Sequence, residues 1–103
     1  MAYYLVAHYT VTDPATFATY PPAAIPTILQ HGGKLLMAAG PGMAEVDNHE
    51  GHPQHPVTAV LEFPSAEACH RWYTSPEYQA VVGLRTGSTQ GWILGAEGFQ
   101  LPG

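Results

Sequence analysis

From Ala2 to Val11 the chain runs AYYLVAHYTV, a stretch dense in aromatic and β-branched residues that suits a strand. Alternation sets Tyr3, Leu5, Ala7 and Tyr9 on one face and Tyr4, Val6, His8 and Thr10 on the other. Both faces are largely apolar, so the strand is expected to be covered on both sides. Three further strands are predicted at 34–39 (KLLMAA), 57–63 (VTAVLEF) and 88–98 (STQGWILGAEG). In the third, Val57, Ala59, Leu61 and Phe63 share one face, while Thr58, Val60 and Glu62 share the other. Gly40-Pro41-Gly42 ends the second strand in a bulge or turn, and MAEVD (43–47) continues the extended path.

Helical spacing replaces alternation twice. Phe17, Tyr20, Ala24, Ile28 and Leu29 mark a helix through 14–31, opened by Asp13 or Thr12 as cap and by Pro14 at its first position. Tyr20-Pro21-Pro22 and Pro26 interrupt it, so a kink or two short helices are expected. His31-Gly32-Gly33 closes it with a glycine able to turn left-handed. The second helical region starts at Pro64-Ser65 and carries Ala66, Ala68, Cys69, Trp72 and Tyr73. It restarts at Ser75-Pro76 and runs to about Arg85.

The resulting order, β-α-β-β-α-β over one domain spanning 1–103, is the ferredoxin-like α+β plan, with an antiparallel four-stranded sheet and both helices on one face. The other sheet face then needs a cover, which a second copy packed sheet to sheet would supply. Composition strengthens that reading. Of 103 residues, 46% are hydrophobic and only 11% charged, a balance that leaves apolar surface for an interface. A net charge of −5, with Lys34, Arg71 and Arg85 as the sole cationic residues, argues against nucleic acid or an anionic membrane as partner. A lone cysteine, Cys69, precludes an intrachain disulfide framework. MAYYLVAHYT has no secretory pattern and no apolar run approaches a membrane span, so a soluble cytoplasmic protein is expected.

Leu61-Glu62-Phe63-Pro64-Ser65, with Trp72-Tyr73 and Ser75-Pro76-Glu77-Tyr78-Gln79, resembles the family catalogued as domain of unknown function 1330, within the dimeric α+β barrel superfamily. Asp13-Pro14 and His31-Gly32-Gly33 agree, so the resemblance covers almost the whole chain. It implies a ferredoxin-like fold and a homodimer whose two sheets form a barrel-like core. The wider superfamily includes cofactor-free monooxygenases, lactone isomerases, polyketide cyclases, dehydrochlorinases and haem enzymes, so the resemblance implies no one activity. The proline cluster, the histidine-rich loop at 48–56 and the few arginines in the final helix depart from the family pattern.

Candidate chemistry centres on a cleft between sheet and helices. His8 is the candidate acid/base, because imidazole exchanges protons near neutral pH. The alternative is a histidine hydrogen-bonded in the dimer interface. Glu62, if it faced the cleft, would be a desolvated general base; otherwise it is an exposed carboxylate or a partner of Arg85 or Arg71. Tyr20 is assigned with these two as a polar catalytic partner. Arg85 is the candidate clamp for a substrate anion, with His31, Trp72 and Tyr73 as further substrate-binding candidates. His31 is equally accounted for as a helix-end residue, and the aromatic bodies as packing. His49, His52 and His55 present an H-x-x-H-x-x-H spacing, but Gly51 and Pro53 make this a loop, for which solvation is favoured over metal binding.

No phosphate-binding glycine loop, Cys-x-x-Cys pair or nucleophile elbow is present, which disfavours nucleotide-dependent and covalent-nucleophile chemistry. The leading expectation is a small-molecule enzyme with no tightly bound organic cofactor and no metal. It would work by proton transfer (isomerase, cyclase or lyase type) or by cofactor-independent oxygenation. The alternative is a non-catalytic ligand-binding or interaction module, with a haem or metal protein third.

Overall fold

A computed structural model describes residues 1–102. Its elements are β1 (Tyr3–Val11), α1 (Pro14–Phe17), α2 (Tyr20–Gln30), β2 (Lys34–Ala39), β3 (Val57–Phe63), α3 (Ala66–Thr74), α4 (Pro76–Gln79), α5 (Val82–Thr86) and β4 (Thr89–Glu97). The strands form one sheet in the order β2-β3-β1-β4, every neighbouring pair antiparallel. The ferredoxin-like α+β plan expected from the sequence is the one observed.

The first helical region breaks at Ala18–Thr19 rather than at its prolines. Asp13 caps α1, accepting from the Thr16 amide at 3.3 Å and from the Thr16 hydroxyl at 2.7 Å. Pro21 and Pro22 then fall in the first turn of α2, where an N–H has no helical partner to lose. Only Pro26 sits inside the helix, which passes through it. After His31 the chain turns at Gly32 with φ +80, and Gly33 lets it approach the core. A Cβ on Gly33 would stand 2.6 Å from Ile28 Cγ2 and 2.7 Å from the Phe63 ring.

The second region is divided further than the spacing predicts, into α3, α4 and α5. Ser75 makes the first break orderly. Its hydroxyl accepts from the Tyr78 amide at 3.2 Å and donates to the Trp72 carbonyl at 2.7 Å. The second break, at Ala80–Val81, precedes Val82 and Gly83, residues of low helix propensity. A bulge lies within β2, between Leu35 and Met37, not only at the glycine turn. Residues 43–47 add no strand, and Ala44 makes a single bridge to Ala39.

All helices cover one sheet face. Leu5, Ala24, Ile28, Phe63, Cys69, Trp72 and Tyr78 form the core between them, each large side chain contributing about 1.5–3 kcal/mol by burial. The opposite face carries Tyr4, Val6, His8, Val60, Met37, Trp92 and Leu94 by register. Among the described residues nothing covers most of it: Met37 is 42% exposed, Trp92 40% and Leu94 53%.

Candidate functional site

The odd-numbered face of β1 and the helices line an open cleft with a cavity volume of about 130 Å³. Its sheet side is aliphatic, with Leu5, Ala7, Ala38, Ala59, Leu61 and Ile93. Its helix side brings Phe17, Tyr20, Ile28, Trp72 and Arg85, and Tyr9 closes the β1 end. The pleat explains the selection, since only alternate strand residues can reach this side.

Trp72 is held as a rigid wall. Its Nε1–H donates to Thr27 Oγ1 at 3.0 Å, the Thr27 hydroxyl donates to the Ala24 carbonyl at 2.6 Å, and its ring lies 4.0 Å from that of Tyr78 between centroids. These bonds tie α3 to α2 behind the cavity. Tyr20 and Tyr78 join their hydroxyls at 2.7 Å. Burial pushes the Tyr20 phenol well above its ordinary pKa, and the adjoining Tyr78 adds to the shift. Tyr20 therefore stays protonated and serves as a hydrogen-bond donor, not as a base.

Arg85 stands in the last turn of α5. Its carbonyl accepts from the Thr89 hydroxyl at 2.7 Å, while the Ser88 carbonyl accepts from the Thr12 and Asp13 amides, so the helix end is pinned to β4 and to the start of α1. The guanidinium lies beside the Tyr78 and Tyr20 hydroxyls. Burial works against its charge, and those neighbours outweigh burial and hold its pKa above the already high ordinary value. Tyr9 is near enough for Arg85 to oppose the rise that burial imposes on its phenol. Among the described residues no side-chain carboxylate reaches ion-pair distance of Arg85, and its Nε is buried without a partner.

His8 and Glu62 are elsewhere, which corrects the expectation that they share a cleft with Tyr20. Alternation puts both on the opposite sheet face. His8 is 8% exposed and fully engaged. Its Nε2 accepts from the His55 amide at 3.0 Å, which fixes the proton on Nδ1, and that nitrogen donates to the Val57 carbonyl and Thr58 Oγ1, both at 3.1 Å. The lone pair a general base would use is already occupied. His55 stacks edge-on to His8 and bonds Thr10 at 2.8 Å, while Trp92 Nε1–H donates to Gln54 at 3.2 Å, so His8 serves as the latch of the 48–56 loop. Glu62 stands 4.0 Å from Lys34, and its carboxylate holds the Tyr4 phenol above its ordinary pKa; neither Arg85 nor Arg71 is its partner among the described residues.

His31 caps α2, its Nδ1 on the Thr27 carbonyl at 2.9 Å, and does not line the cavity. Tyr73 is 40% exposed and packs on the outer side of Tyr78. The structure thus assembles Tyr20, Trp72 and Arg85 and leaves His8, Glu62, His31 and Tyr73 outside. The cavity lining also includes Tyr9, and Tyr78 supports Tyr20 from behind; neither is among the site candidates that the sequence suggests. The same-face alternation of Tyr9 with Leu5 was the available signal. His49 pairs with Asp47 at 3.2 Å and His55 with Thr10, and among the described residues no three of His, Cys, Asp and Glu gather as metal ligands.

The family described as Domain of unknown function (DUF1330) matches residues 2–99. The chain belongs to this family. No curated protein matches the DUF1330 chain in sequence. Its fold is similar to that of a protein of unknown function from Rhodopseudomonas palustris, RPA0582. That likeness has a TM-score of 0.74 at 14% identity, covering 97% of this chain and 84% of that one. It is also similar to SnoaB, a cofactor-independent oxygenase from Streptomyces nogalater, with TM-score 0.67, 12% identity, and 97% and 95% coverage. A dimeric protein of unknown function with a ferredoxin-like fold from Bacteroides fragilis matches with TM-score 0.58 at 11% identity, covering 93% of this chain and 95% of that one. Among the described residues no helix is long and apolar enough to cross a membrane.

Proposed function

We propose that this DUF1330 chain is a small-molecule enzyme that oxygenates an electron-rich substrate in the cleft without a cofactor. One observation carries the choice: the polar groups of the cleft are an arginine and phenols, with neither carboxylate nor imidazole among them. Such a site stabilises an anion but has no base with which to create one by proton abstraction. Isomerase, cyclase and lyase chemistry needs that base. Oxygenation of a substrate acidic enough to ionise in solution does not, and the likeness in fold to SnoaB agrees with this reading. For a phenol the balance is one substrate plus one dioxygen giving one quinone plus one water. The ring C–H becomes C=O, carbon is oxidised, and the second oxygen atom leaves in water.

The test is oxygen uptake with electron-rich phenols such as resorcinol and phloroglucinol, in chelated, flavin-free buffer alkaline enough to ionise them, against an enzyme-free control. Enzyme-dependent uptake of one dioxygen per substrate is expected. Ligands that bind without any uptake would overturn oxygenation in favour of a binding module, a reading that the missing base also favours. The active form is a homodimer joined through the uncovered sheet face, where Met37, Trp92 and Leu94 lie exposed. A monomer by light scattering at micromolar concentration would refute that assembly.

A further inference from the structure

Acidic side chains are abundant in this chain, eight against three basic ones. Lys34 and Arg71 each stand 4.0 Å from a carboxylate. Arg85, the most secluded of the three cations, has none among the described residues, and its Nε is buried without a hydrogen-bond partner among them. A half-buried guanidinium without a counter-ion is costly unless something else supplies the negative charge. The two hydroxyls beside it are also incompletely used. In the Tyr20–Tyr78 pair one hydrogen joins the two oxygens, so the other remains free to donate. Arg85 and Tyr20 border one cavity whose remaining lining, apart from the Tyr9 phenol at one end, is largely apolar.

From these observations we infer that Arg85 and Tyr20, with Tyr78 bonded behind Tyr20, form a subsite for a single ionised oxygen on a one-ring ligand, a phenolate or ring enolate. The inference rests on the cleft reading above and narrows it to a substrate class. The volume matches one ring. The cavity holds about 130 Å³, close to the roughly 150 Å³ that accommodates benzene in an engineered apolar cavity. Donor supply sets the anion. A carboxylate presents about four acceptor sites, whereas here the donors occupy one wall and the aliphatic residues opposite offer none. A lone phenolate oxygen is satisfied by that wall while its ring fills the apolar remainder.

The probe is 4-nitrophenol, whose absorbance reports its own ionisation and whose electron-poor ring resists oxidation. Bound to the wild-type protein, it is expected to ionise at a pH lower by about one unit or more, a roughly tenfold or greater preference for the phenolate. Arg85→Met should abolish the shift while retaining wild-type affinity for nitrobenzene, the neutral ring. Tyr20→Phe, which leaves the guanidinium in place, should reduce the shift without abolishing it. An unshifted or raised ionisation of the bound probe in the wild type would overturn the subsite, as would benzoate binding more tightly than 4-nitrophenolate. Failure of the broader reading looks different. A lowered probe ionisation with no oxygen uptake on phenols sinks oxygenation alone, and oxygen uptake undiminished in Arg85→Met sinks the subsite alone.

Discussion

His8→Ala separates a structural histidine from a chemical one. The imidazole makes two kinds of contact: Nε2 accepts the His55 amide at 3.0 Å, and Nδ1 serves the Val57 carbonyl and the Thr58 hydroxyl at 3.1 Å. Two hydrogen bonds of about 1 kcal/mol each are lost, and the His55 N–H is left partly buried without an acceptor, which costs about 1–3 kcal/mol. Some of that second cost is recovered as the loop opens to water. Ring packing against His55 and Trp92, at 5.0 and 5.1 Å between centroids, is lost as well. The sum is a destabilisation of about 2–4 kcal/mol. With a urea dependence of roughly 1–2 kcal/mol per molar, the unfolding midpoint should fall by about 1–4 M. Amide exchange at His55 should accelerate to the rate of the exposed loop. Oxygen uptake at low temperature in the absence of urea should stay near the wild-type value, because the sheet stands between His8 and the cleft. An unmoved midpoint would refute the latch, and lost uptake with a normal midpoint would return His8 to the chemistry.

Three further perturbations test other parts of the fold. Ser75→Ala removes both the cap of α4 and the hydroxyl bond to the Trp72 carbonyl; it should cost about 1–2 kcal/mol in urea unfolding, and a change within error would contradict the cap assignment. Burial pushes the Cys69 thiol above its ordinary pKa, so a disulfide reagent such as Ellman's should label it only as the protein unfolds; rapid stoichiometric labelling of the native protein would show the core to be open. Thr16 holds the Asp13 carboxyl below its ordinary pKa. Its contribution is therefore present at neutral pH and is lost as pH falls below the usual carboxylate range. Asp13→Asn should remove that portion of the acid dependence, and an identical pH profile in the variant would exclude it.

Alternation and capping were enough to determine the elements. The aromatic and β-branched run at 3–11, the Asp13-Pro14 and Ser75-Pro76 starts and the Gly32 turn all act within a few residues, so they are legible in order along the chain. They also predicted that one sheet face would lack a cover, and they set His8 and Tyr9 on opposite sides of β1. Which side bears the helices is a tertiary choice. Local patterning gives β1 two apolar faces, and packing of Trp72, Tyr78 and Ile28 selects the face of Leu5 and Tyr9. That choice took His8 and Glu62 out of the cleft. Tyr20 and Tyr78 are 58 residues apart, and no local period relates them to each other or to Arg85. Their meeting depends on α2, α4 and α5 crossing the same stretch of sheet, a result of long-range packing that only the folded chain reveals.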